Sequence, residues 1–314
     1  MLDNSSKEFV FVLSGLNDTR TNKHIYFSVG LIVYIVTLFV NLTLLFTIIL
    51  DRSLHEPMYI FICNLYVNGI CGASAFYPKI LVDLFSDSHV ISFTGCMLQI
   101  GVIHCYILCE YTCLTAMAYD RYVAICKPLQ YHNIMTQRKV VKLLVIIWLF
   151  TILEVSAGTA LTAQTPLCGN TIDKMYCFYW DVVKLSCTDI TVHSLYGYII
   201  ICLHFSQAVF ITVSYIHIIR ACVKSKKERV KFMQTCLPHL ITLMNFTVSV
   251  LLDIMFARYG SGQDQQALRN IFGMEFMVVP PLLNPIIYGL KMTQIRRRSH
   301  LFMLSGKKRL SGSI

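Results

Sequence analysis

Three carboxylates and an arginine stand out because they lie in or beside long apolar runs. Asp120 and Arg121 close a run that begins near Cys96. Such a pair cannot sit in hydrocarbon without a large cost, so it belongs where a helix meets water. Glu110 stands about three helical turns before Arg121 and therefore shares its face. An intramembrane carboxylate marks a candidate ion or proton site. Glu154 is a second, with no evident partner. His104 adjoins Cys105, Cys109 and Cys113, a stripe at i, i+4 and i+8. Thiolate and imidazole suit copper or zinc, but a small buried cysteine also suits tight helix packing, which is the stronger reading. No His-Glu-x-x-His or Gly-x-Ser-x-Gly occurs, and no paired catalytic set stands out. No catalytic residue, resident metal or cofactor is expected.

The elements that hold these groups are membrane helices. Of the 314 residues, 55% are hydrophobic and 14% charged, where a soluble domain carries about 25% charged residues. The apolar residues fall into seven blocks, each long enough for the roughly 20 residues that cross the hydrocarbon. They run over residues 25–49, 57–85, 93–126, 140–163, 192–221, 231–256 and 266–290. Gly69, Gly72 and Pro78 should bend or break the second. No repeat, linker or low-complexity tract divides the chain. The expected fold is an all-α seven-transmembrane helix bundle. Residues 1–24 form a leading segment, 25–290 the membrane domain and 291–314 a tail.

Lys and Arg set the orientation. Of 27, 19 lie on the side that carries Arg121 and the tail. That side should be cytoplasmic, with the N-terminus outside. Asn4 and Asn17 begin glycosylation sequons in the outer segment; the sequons at Asn41 and Asn245 lie within spans and should stay unmodified. No cleavable signal is expected, since Phe9–Leu13 is too short for an h-region. The tail from Lys291 to Leu304 mixes arginines with Ile295, Leu301 and Phe302, as a short helix on the inner leaflet would; past Leu304 a disordered basic tail is the equal alternative. The net charge of +10 is spread through short loops rather than gathered on one face, which argues against nucleic acid.

Five segments resemble one family. They are Leu54–Ile62, Met117–Cys126, Ser214–Ile219, Lys231–Leu240 and Pro280–Tyr288. In order and spacing they resemble a rhodopsin-like (class A) G-protein-coupled receptor, specifically an odorant (olfactory) receptor. The Gln-Thr-Cys-Leu-Pro-His wording that ends at His239 looks most like receptors of fishes. The resemblance implies that Asp120 neutralises Arg121 at rest and that Arg121, with Tyr122, meets the G-protein on activation. It implies inward-turning tyrosines at Tyr215 and Tyr288, a break at Asn284-Pro285 and a switch role for His239, with a packed core histidine as the rival reading. For Glu110 it suggests a sodium or proton site. The usual helix-two acid is Gly69 here, beside Asn68, so a hydrogen-bonded neutral Glu110 stands equally open. Cys96, Cys168, Cys177 and Cys187 on the outer face allow three pairings; the resemblance selects Cys96–Cys177 and Cys168–Cys187. The first would close the second outer loop as a lid, made more apolar by Phe178 and Tyr179.

A volatile ligand needs an enclosed apolar pocket with a few polar groups. Helix three offers His104, Ile107, Leu108 and Tyr111 on one face. By resemblance, helix five adds Tyr196, Ile199 and Leu203, helix six Val250, Leu251 and Ile254, and helix seven Met274 and Met277. Each could instead serve helix packing. No acid lies near Ile103, so an amine site of the aminergic kind is not expected on helix three. Thr247, beside Phe246, stands where helix six usually carries an aromatic. The expected protein is a multi-pass plasma-membrane receptor. It would bind a small-molecule odorant, sit among membrane lipids and activate a stimulatory or olfactory heterotrimeric G-protein that raises cyclic AMP. The alternative is a membrane transporter or ion channel, for which the missing repeat counts against.

Overall fold

A computed structural model describes residues 9–15, 22–86, 88–223, 226–259 and 266–291. Asn4, Asn17 and the tail beyond Lys291 lie outside these residues. Seven helices are long and apolar enough to cross a membrane: α1 (Lys23–Leu50), α2 (Pro57–Asp83), α3 (Phe93–Cys126), α4 (Gln137–Ala163), α5 (Thr191–Val223), α6 (Lys226–Tyr259) and α7 (Gln266–Lys291). The protein is a seven-transmembrane helix bundle. α3 has the expected bounds, and α6 starts five residues before the expected Lys231. Ser92 caps α3 by accepting from the Gly95 amide, and Thr136 caps α4 by accepting from the Lys139 amide.

α3 is the central post, packed against α2, α4, α5 and α6. The outward faces of α4 and α5 carry Leu149, Leu153, Phe205 and Phe210, all exposed, as lipid contact requires. Gly72 lets α2 and α3 meet. A Cβ there would lie 2.7 Å from the Tyr106 ring, and that ring is pinned because its hydroxyl donates to the Phe276 carbonyl at 3.0 Å. Gly72→Ala should therefore cost about 1–3 kcal/mol by overpacking. Thermal unfolding in detergent would measure it; an unchanged midpoint would mean that the two helices part freely.

α7 corrects one expectation. Asn284-Pro285 does not break it, and the helix runs unbroken through Pro280, Pro281 and Pro285. A proline cannot donate to the carbonyl four residues back. Pro285 thus frees the Pro281 carbonyl, which accepts from Asn41 Nδ2 at 2.8 Å. Pro280 likewise frees the Phe276 carbonyl, which Tyr106 caps. Side chains of α1 and α3 replace the lost bonds, so the helix continues. Pro78 is likewise carried inside α2.

A three-stranded sheet covers one end of the bundle. Its order is β2 (Val90–Ser92), β1 (Val10–Leu13), β3 (Thr171–Ile172). β1 is antiparallel to β2 and parallel to β3. Its side chains alternate: Val10 and Val12 are exposed, while Phe11 and Leu13 are fully buried with Cys96, Ile100, Cys177 and Val182. Four of residues 9–13, expected only to be too short for a signal, are this strand. Cys96–Cys177 and Cys168–Cys187 are both disulfide-bonded.

Candidate functional site

The loop between α4 and α5 folds inward as a lid. Cys96–Cys177 ties it to the first turn of α3, and Gln99 Oε1 accepts the Cys177 amide at 2.8 Å. Tyr176 donates its hydroxyl to the Gly273 carbonyl of α7 at 3.0 Å. Burial, then the nearby Asp253 and Asp181 carboxylates, hold that phenol well above its usual range, so it stays a donor. Lys174, buried in the lid, bonds Asp253 of α6 at 2.7 Å and faces Asp181 at 3.6 Å.

Beneath the lid is a cavity of about 130 Å³. That approaches the roughly 150 Å³ at which an apolar cavity accepts benzene. His104, Ile107 and Leu108 of α3 line it, with Tyr196, Gly197, Ile200 and Ile201 of α5, Val250 and Ile254 of α6, and Phe178, Tyr179 and Trp180 of the lid. His104 Nδ1 lies 3.0 Å from the Ile100 carbonyl, to which it donates, leaving Nε2 as an acceptor. Its ring stacks on Phe178 with centroids 4.8 Å apart. Tyr196 donates to the Glu154 carbonyl at 2.8 Å. Gly158 makes room for it, since a Cβ there would stand 2.5 Å from that hydroxyl.

Six of the twelve expected ligand residues line this cavity: His104, Ile107, Leu108, Tyr196, Val250 and Ile254. Ile199, Leu203 and Leu251 are corrections. They turn outward, 51%, 38% and 55% exposed. At about 100° per residue the α5 wall is centred between Tyr196 and Ile201, which carries Ile199 and Leu203 to the flank. Tyr111 packs one turn deeper against His204, ring centroids 5.8 Å apart. Met274 and Met277 pack in the core around Phe276 instead of lining the cavity. Phe246 is fully buried edge-on to Tyr106, so it fills the aromatic place beside Thr247.

At the far end of α3, Asp120 and Arg121 form a buried ion pair. Tyr131, in the short helix Tyr131–Ile134 between α3 and α4, donates to Asp120 Oδ1 at 2.9 Å. Burial, then the Asp120 charge, hold the Tyr131 phenol well above its usual range. His239 of α6 is fully buried; its Nδ1 bonds the Tyr215 hydroxyl of α5 and its Nε2 meets the Leu114 carbonyl of α3 at 3.0 Å. As Nε2 faces a carbonyl it must donate, so Nδ1 accepts from Tyr215. One imidazole thus joins three helices. Tyr288 is fully buried in the same cluster as Tyr215, and Tyr122 faces His217 of α5.

Between these ends Glu110 joins three helices. It accepts from Asn68 of α2 at 2.9 Å and from Asn284 of α7 at 2.7 Å, one on each oxygen. Asn68 supplies an amide beside Gly69, the place of the missing acid. Glu110→Gln keeps the volume but has one acceptor oxygen, so one of the two asparagine bonds to it is lost. The cost should be about 1–3 kcal/mol, read as a lower unfolding midpoint; an equal midpoint would discount the link. Cys109 accepts from Asn64 and Cys113 donates to the Phe61 carbonyl, both in the α2–α3 packing. Among the described residues no group of three or more His, Cys, Asp or Glu could hold a metal.

A lidded cavity at one end of a seven-helix membrane bundle and a buried Asp-Arg pair at the other define a heptahelical receptor. The fold agrees with squid rhodopsin, whose crystal structure superposes with a TM-score of 0.73 at 16% identity over 90% of this chain and 87% of that one. A sequence model of the family described as olfactory receptor matches residues 30–306. Human olfactory receptor 4E1 is 35% identical over 98% of this chain and 96% of its own. Rat olfactory receptor 51E2 is 35% identical over 92% and 91%. The chain belongs to the olfactory receptor family. It is a multi-pass plasma-membrane receptor for small molecules that acts through G-proteins, and it is not an enzyme. These relatives are mammalian and lend no support to the likeness to fishes.

Proposed function

We propose that the chain is an odorant receptor whose lid and N-terminus face outward and whose Arg121 end faces the cytosol. The observation that carries this reading is the cavity itself, apolar, lidded and bounded by α3, α5 and α6. The same three helices meet at His239. A ligand acts by its different affinity for the two arrangements of those helices. In the active one α6 swings outward, Tyr215 and Tyr288 turn inward around Asn284-Pro285, and Arg121 with Tyr122 receives a stimulatory or olfactory G-protein, raising cyclic AMP. Residues 1–24 stand outside with glycans on Asn4 and Asn17, residues 25–290 form the receptor domain and 291–314 the cytoplasmic tail. Glu110 serves as the ion or proton site coupled to the switch. The 19 basic residues on the Arg121 side support this orientation.

The test expresses the chain in cultured cells with a cyclic-AMP reporter and screens small volatile molecules. A dose-dependent rise is expected. Ile254→Trp, which fills the cavity, should shift potency at least about tenfold, the loss of one well-packed contact of about 1.4 kcal/mol. Unshifted potency at equal surface amounts would move the ligand elsewhere. A response carried by another messenger would overturn the stimulatory coupling.

A further inference from the structure

Glu154 is 7% exposed, on the face of α4 that meets α5. Neither of its carboxylate oxygens has a hydrogen-bond partner among the described residues, and neither does His204 Nε2. The two groups face each other at 3.7 Å, too far for a hydrogen bond. His204 Nδ1 lies 3.3 Å from Gln207 Oε1, an acceptor, so in the neutral ring that nitrogen carries the proton. Nε2 then offers a lone pair. A carboxylate and a lone pair look at each other across a gap that lacks a donor.

The gap adjoins the cavity. Tyr196, which lines it, donates to the Glu154 backbone carbonyl. His204 follows Ile200 by four residues and Tyr111 follows Ile107 by four, so both lie one turn below lining residues. Their rings meet edge to face one turn beneath that lining. No acid lies near Ile103 on α3, and the carboxylate next to the cavity is Glu154 of α4.

Resting on the reading of the cavity as the ligand site, we propose that Glu154 and His204 form a polar subsite adjoining it that takes a primary ammonium. An ammonium presents three donors. One fits Glu154 and a second fits His204 Nε2, while a short alkyl chain lies against Ile107, Ile200 and Ile201. A buried carboxylate with no hydrogen-bond donor is costly, and an ionised donor relieves that cost. A carboxylate ligand would instead meet like charge.

The experiment measures thermal stabilisation of the purified full-length receptor in detergent at neutral pH by pentylamine, pentan-1-ol and pentanoate. An alkylamine is protonated there, much as lysine is. Pentylamine should reach half-maximal stabilisation at a concentration about ten- to a hundredfold below pentan-1-ol, the value of hydrogen bonds to a charged group. Glu154→Gln should weaken the amine much more than the alcohol and bring the two midpoints together. Ile254→Trp should weaken both. Equal midpoints for amine and alcohol in the parent would overturn the subsite and leave the cavity standing. Stabilisation by neither would overturn both readings. Stabilisation led by pentanoate, or an amine preference that persists in Glu154→Gln and in His204→Phe, would overturn the subsite alone.

Discussion

Asp253→Ala is expected to destabilise the receptor by about 3–5 kcal/mol, the cost of removing one partner from a buried pair. Lys174 and Asp253 are each 2% exposed. Lys174 reaches Asp253 at 2.7 Å, and its ammonium stands 4.5 Å over the centre of the Phe178 ring. Without Asp253 the one carboxylate left near the ammonium among the described residues is Asp181 at 3.6 Å, and Lys184 already holds it at 2.8 Å. Water cannot readily replace the lost charge under the lid. Lys174→Ala should cost a similar amount, because it strands Asp253. The double variant Lys174→Met with Asp253→Leu removes both charges and should recover most of the loss, since apolar pairs often replace buried ion pairs without penalty. Unfolding midpoints of the four proteins in detergent give the comparison. A double variant as weak as either single one would show that the pair is not what joins the lid to α6.

The ion pair was not legible in the sequence, and the reason is general. Its partners lie 79 residues apart, and a lysine in a loop reads as solvated. α3 was legible from its long apolar run, with Asp120-Arg121 marking the approach of water at one end. The rotation of α5 was not. Ile199, Ile200 and Ile201 are consecutive, so hydropathy carries no phase there and does not tell Ile199 from the two successors that line the cavity. β1 escaped for a related reason: all four of its residues are apolar, and only the fold tells Phe11 and Leu13 from Val10 and Val12. The prolines of α7 announced missing donors but not their replacement. Asn41 and Tyr106 supply that from helices more than 150 residues away in sequence.

The Asp120-Arg121 pair leads to predictions of opposite sign, which is their value. Asp120 is fully buried and satisfied twice, by Arg121 and by the Tyr131 hydroxyl. The resting arrangement therefore keeps the guanidinium turned to its neighbour. A G-protein that docks on Arg121 must offer it something better than Asp120. On the proposed coupling, Arg121→Ala removes the docking group and should cost about 2–4 kcal/mol at that contact, as interface arginines do. That corresponds to a loss of about thirtyfold to several hundredfold in coupling. Asp120→Asn does the reverse: the arginine survives with a weaker partner, and ligand-free signalling should rise. Tyr131→Phe removes one hydrogen bond from Asp120 and should raise basal signalling less, in line with about 0.5–1.5 kcal/mol. A cyclic-AMP reporter normalised to surface receptor reads all three. An anchor that merely fixes helix depth would weaken surface expression in each variant and leave signalling per receptor unchanged. Full signalling from Arg121→Ala, or silence from Asp120→Asn at normal surface amounts, would show that this pair does not restrain the switch.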